Sequence, residues 1–112
     1  MINTDGEFRN RKIEPKNFPR IFHYDEACFI IDRFTREICR PLPIAHKITH
    51  HPGAKDKGQV VLCLYDRKEP KVGTINLVDY KVYKTDLDMI KALKQLVVTQ
   101  QKAIAKFKLG GG

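Results

Sequence analysis

The sequence predicts an α+β domain in which an antiparallel sheet of four to five strands packs against one long C-terminal amphipathic helix. Three observations carry that expectation. Across residues 85–108 apolar side chains recur every three or four positions. Residues 59–65, QVVLCLY, form a continuous apolar run with the composition of a buried strand. Several further short runs of strand-forming residues are separated by Pro, Gly and charged breaks. At 112 residues the chain fits one core. The pattern predicts a flexible arm at 1–20, a single domain at 21–108 and a flexible Gly tail at 109–112.

In the arm, charged residues, Asn, Gly and two prolines show neither helical nor strand periodicity, and Ile13 and Phe18 are the candidates to pin it to the body. A first strand is expected at 27–32, where Cys28, Phe29, Ile30 and Ile31 are consecutive. A second is expected at 38–44. Its Pro41 and Pro43 lack ladder donors and place it at a sheet edge. Residues 46–58, HKITHHPGAKDKG, read as a long mobile loop, followed by the central strand 59–65 and a turn at 66–70. Along 71–83 the apolar alternation shifts phase near Leu77 and Val78, implying a bulge or bend. Thr85 offers an N-cap hydroxyl to the final helix, and Asp86 and Asp88 suit its positive end. Met89, Ile90, Leu93, Leu96, Val97, Ala103, Ile104 and Phe107 form the apolar stripe of that helix.

Lys and Arg number 21 against 13 Asp and Glu, a net charge of +8, which attracts polyanions. Many enzyme classes lack their marks. There is no serine, no GxGxxG, no GxxxxGK[ST] and no CxxC pair, and no cysteine has a base beside it in sequence. His46, His50 and His51 lie close together, yet no Cys pair or carboxylate completes a recognised ligand spacing, so they read as a solvated loop. The expectation is a protein without catalytic residues, metal or cofactor. Three unpaired cysteines, Cys28, Cys39 and Cys63, suit a reducing compartment. The charged N-terminal residues and the absence of a run of about 18 apolar residues predict an intracellular protein, of cytoplasm or nucleus, with no membrane span.

A helix covering one face of an antiparallel sheet leaves the other open. Arg40, Lys47, Lys55, Lys57, Tyr65, Lys71, Lys81 and Tyr83, on a basic sheet face and the 46–58 loop, are therefore the candidate nucleic-acid contacts, the lysines and arginine for phosphate and the rings for bases. Single-stranded DNA or RNA is the preferred ligand. The alternative is a protein-interaction module, such as a viral or regulatory accessory factor, acting through the helix stripe or the bent strand edge. Leu96, Ile104 and Phe107 are the candidates for a partner surface or a homodimer through the C-terminal helix, whose far end overhangs a shorter sheet.

Three families enter by resemblance. A meander followed by one helix resembles in layout the single-stranded-DNA-binding transcriptional coactivators, which dimerise and bind strands on their sheets. VVLCLYDRKEPKVGTINLVDYKV, residues 60–82, looks like the middle strands of a pleckstrin-homology domain, implying phosphoinositide or protein binding. That fold needs about three more strands before its closing helix, whereas here a helix starts at Thr85. The stretch from Gln59 through VYKTD into the helix resembles an Alu-domain subunit of the signal recognition particle, a fold that also needs an N-terminal helix, for which the sequence reading provides no counterpart.

Overall fold

A computed structural model describes Pro15 and residues 18–110. Its elements run α1 (Tyr24–Cys39), β1 (Ile44–Thr49), α2 (Pro52–Asp56), β2 (Gln59–Asp66), β3 (Gly73–Asp79), a 3-10 turn (Tyr80–Val82) and α3 (Asp86–Gly110). The strands form one antiparallel sheet in the order β1-β2-β3. The class is α+β with a C-terminal helix, but among the described residues three strands stand where four to five were expected, and a second long helix accompanies α3.

The missing strands are accounted for by α1. The run from Cys28 to Ile31 has strand composition, yet it belongs to a helical pattern in which Ala27, Cys28, Ile30, Ile31, Phe34, Thr35 and Cys39 are buried. Phe29, in the middle of the supposed strand, is 40% exposed, as the helical period requires. Asp25 and Glu26 sit in the first turn and Arg36 in the last, matching the helix dipole. The expected proline-bearing edge strand is also absent. Ile38 and Cys39 end α1, Arg40 is its C-cap, and Pro41 follows where a helix cannot continue.

The expected loop at 46–58 is largely structured. Its first part completes β1, which pairs with β2 from Ile44 opposite Asp66 to Thr49 opposite Val61. The rest holds α2, where Pro52 occupies the first turn and the His51 ring accepts the Ala54 N–H at 3.4 Å. Gly58 leaves α2 at φ +75°, a conformation that only glycine takes without strain. The β2–β3 register is unbroken from Gln59 opposite Asp79 to Tyr65 opposite Gly73. The phase shift read near Leu77 is therefore the strand giving way to the 3-10 turn after Asp79, which carries Tyr80 into the core.

Opposite residues of a ladder share a face. Ile44, His46 and Ile48 of β1, Val60, Leu62, Leu64 and Asp66 of β2, and Thr74, Asn76 and Val78 of β3 point one way. Both long helices cover that face. α1 supplies Ala27, Ile30, Ile31 and Phe34, and α3 supplies Met89, Leu93, Val97 and Ile104. The cap read at Thr85 is present, its hydroxyl accepting the Asp88 N–H at 3.1 Å.

Ion pairs join the layers at both ends of the sheet. Ahead of α1, the Arg20 guanidinium grips Asp86 at 2.7 and 2.9 Å and Glu26 at 3.0 Å, while the Arg20 N–H donates to Lys84. At the hairpin end, Asp66 accepts the N–H groups of Lys68 and Glu69 and meets Lys108 at 3.3 Å. Arg67 donates to the carbonyls of Cys39 and Ile44, satisfying an orphan acceptor at the end of α1. These contacts place both helix C-termini at the β2–β3 hairpin, so α1 and α3 run side by side in the same direction.

Candidate nucleic-acid interface

The second face of the sheet carries neither helix. Along it lie Ala45, Lys47 and Thr49 of β1, Gln59, Val61, Cys63 and Tyr65 of β2, and Gly73, Ile75, Leu77 and Asp79 of β3. Lys47 stands opposite Cys63, which stands opposite Ile75, so a cation, a thiol and an aliphatic side chain cross the middle of the face. Thr49 and Cys63 lie 3.7 Å apart, hydroxyl to thiol. Ile75 is 77% exposed and Leu77 is 58% exposed, unusual values for large aliphatic residues of a strand. Gly73 begins β3 because a Cβ there would stand 2.7 Å from the Leu64 carbonyl oxygen.

Of the residues named from the sequence, Lys47 and Tyr65 lie on this face. Lys71 is exposed in the adjoining hairpin with Arg67 and Lys68. Lys57 and Lys81 are exposed at the opposite end, the stem of Lys81 packing over Gly58. Across the eight residues of β2 the two cation groups are separated by about 25 Å. The others lie elsewhere. Lys55 turns toward the helix layer, its ammonium 5.2 Å from the centre of the Tyr24 ring. Arg40 is exposed at the end of α1, and Tyr83 is half-buried beside α3.

The histidines divide among separate partners. His46 Nε2 lies 2.8 Å from Asp32, which also pairs with Arg36 at 3.1 Å. An ionised carboxylate only accepts, so Nε2 carries the proton in this bond. The His46 hydrogen bond, with Arg36 adding to it, holds the Asp32 carboxyl below its ordinary range. His50 Nδ1 is 3.0 Å from the Tyr24 hydroxyl, tying the segment before α2 to α1. Burial and the neighbouring Cys28 thiol push the Tyr24 phenol up to about 12. Among the described residues no three His, Cys, Asp or Glu side chains cluster as metal ligands.

A groove of about 340 Å³ runs between β3 and α3, lined by Leu77, Val78, Tyr83, Leu93, Gln95 and Leu96. The three residues proposed for a partner surface differ in availability. Leu96 is half-buried in this groove, Ile104 is enclosed in the core, and Phe107 is 61% exposed. Sequence reasoning missed Thr49 and Cys63 as members of the open face. Their signal was the strict alternation of Val61, Cys63 and Tyr65 against Leu62 and Leu64.

No family model, curated protein or solved structure matches the chain. No described helix is long and apolar enough to cross a membrane.

Proposed function

We propose that the protein binds RNA with the uncovered sheet face, tracking the phosphate backbone with the cations along and beyond the strands. The observation that carries this reading is a face of the three-stranded sheet that, among the described residues, neither long helix covers. Lys47 and Tyr65 lie on it, and exposed lysines flank it at both ends. Lysine provides a compact cation for phosphate, and Tyr65 offers one ring for a base. With a single ring on the face among the described residues, backbone contacts dominate over base stacking, so binding depends on salt more than on sequence. RNA rather than DNA is favoured because α1 fills the place of the N-terminal helix in the resemblance to an Alu-domain subunit of the signal recognition particle. The order helix, three strands, helix now runs through the described chain. The protein acts here as a binding component and contributes no reaction of its own.

Fluorescence-anisotropy titration with a short single-stranded RNA, its duplex and the DNA equivalents, at two salt concentrations, tests this reading. Saturable RNA binding at near-physiological salt is expected. Lys47→Gln and Lys71→Gln should each flatten the dependence of log K on log salt by about one. Tyr65→Ala should weaken binding to single strands by about 1–3 kcal/mol. Loss of all binding at near-physiological salt, or equal binding by the Lys47→Gln variant, would refute it.

A further inference from the structure

We propose that the groove between β3 and α3 receives an extended segment of a partner protein, one that alternates apolar with acidic residues and joins the free edge of β3 as a fourth strand. This site meets the open face at Leu77, which lines both, but it does not depend on the RNA reading. Among the described residues β3 is the last strand of the sheet, so half of its backbone donors and acceptors face away from β2. Beside that edge lies the groove of about 340 Å³. Its floor is apolar, made by Leu77, Val78, Leu93 and Leu96 with the Tyr83 ring. An added strand points alternate side chains toward such a floor, the arrangement by which sheet edges bind peptides.

Charge selects the occupant. Lys91 lies one helical turn before the groove residue Gln95, Lys102 one turn beyond the groove residue Thr99, and Lys106 one turn further. All three lysines are exposed, and α3 holds no acidic residue beyond Asp88. The outer lip of the groove is thus basic while its floor is apolar. A nucleic acid satisfies the lip and leaves the floor empty. A second copy of this chain in a two-fold arrangement brings the same lysines of both copies toward one another. A segment carrying Asp or Glu between Leu, Val or Ile satisfies both.

Selection of random twelve-residue phage-displayed peptides on the immobilised full chain tests the proposal. The enriched peptides should alternate apolar residues with Asp or Glu, and their binding should shift the backbone amide resonances of residues 73–79. Leu77→Lys, at an exposed position, and Lys102→Glu should each weaken the selected peptides by about tenfold, while Lys47→Gln leaves them unchanged. Sedimentation should show a monomer. Failure to enrich any peptide, enrichment without acidic residues, indifference to both groove substitutions, or a dimer that Leu77→Lys dissolves would each overturn the proposal.

Discussion

The two faces of the sheet are built from the same three strands and have opposite fates. On the inner face Ile44, Val60, Leu62, Leu64 and Val78 are sealed beneath α1 and α3, whereas on the outer face Ile75 and Leu77 remain in water. Strand composition alone does not separate them. The difference is made by the helices, which lay most of their apolar stripes against one face and leave Phe107 of α3 exposed. Among the described residues neither long helix covers this second face, where aliphatic and cationic residues lie side by side.

Substitutions should separate the faces sharply. Leu62→Ala empties a fully buried position and should cost about 2–5 kcal/mol in urea unfolding. Ile75→Ala, on the neighbouring strand but facing outward, should change stability by about 0.5 kcal/mol or less. Comparable losses at the two positions would mean that the outer face is covered. Arg20→Ala belongs with the large effects. It takes the guanidinium from Asp86, 1% exposed, and from Glu26, and losing a hydrogen bond to a charged group of this kind costs about 1.5–3 kcal/mol.

Thiol chemistry sharpens the contrast. Burial raises the thiols of Cys28 and Cys39, which both lie in the core, while Cys63 is half-exposed on the open face. With N-ethylmaleimide at neutral pH, Cys63 should react first and the other two only as the protein unfolds. Mass spectrometry of the labelled peptides reads the order, and simultaneous labelling of all three would contradict the two-layer packing.

Smaller effects should follow pH. Asp66 is held low chiefly by the Glu69 N–H, with Lys108 adding to it, and Asp32 chiefly by His46. Their stabilising contributions are present above the unfolded carboxylate value and are lost as pH falls through the lower folded values. The melting temperature should therefore decline below about pH 4, and less so in Asp66→Asn. Tyr24 behaves in the opposite sense. Its folded value of about 12 exceeds the ordinary 10.0, so its contribution is intact below pH 10 and fades as pH rises toward 12. Tyr24→Phe should flatten that alkaline decline.

The sequence was legible where one pattern excluded the others. The helix 85–108 and the strand 59–65 were read within two residues of their observed ends, because the helical stripe is long and QVVLCLY is apolar on both faces. The N-terminal half was misread because a four-residue apolar run satisfies strand and helix equally. Only the longer window, with Ala27, Ile31, Phe34 and Cys39 buried and Asp32, Arg33 and Arg36 less so, separates the two. Two prolines then reinforced the error, since Pro41 after a helix and Pro41 in an edge strand look alike in sequence. The candidate surface was partly legible, with Lys47 and Tyr65 on the open face. Lys55 and Tyr83 could not be assigned without knowing that α1 lies beneath α2 and that a groove separates β3 from α3. The expectation for the N-terminal arm rests mainly on residues 1–14, which lie outside the described residues.

The most direct test of the open face as an RNA surface is the alkylation rate of Cys63 with and without saturating single-stranded RNA, because that thiol stands between Lys47 and Ile75 at the centre of the face. RNA should slow Cys63 labelling at least about tenfold at near-physiological salt, and Lys47→Gln should reduce this protection at a fixed RNA concentration. Unchanged labelling of Cys63 in the presence of RNA that is demonstrably bound would place the RNA on another surface and refute the open face as its site.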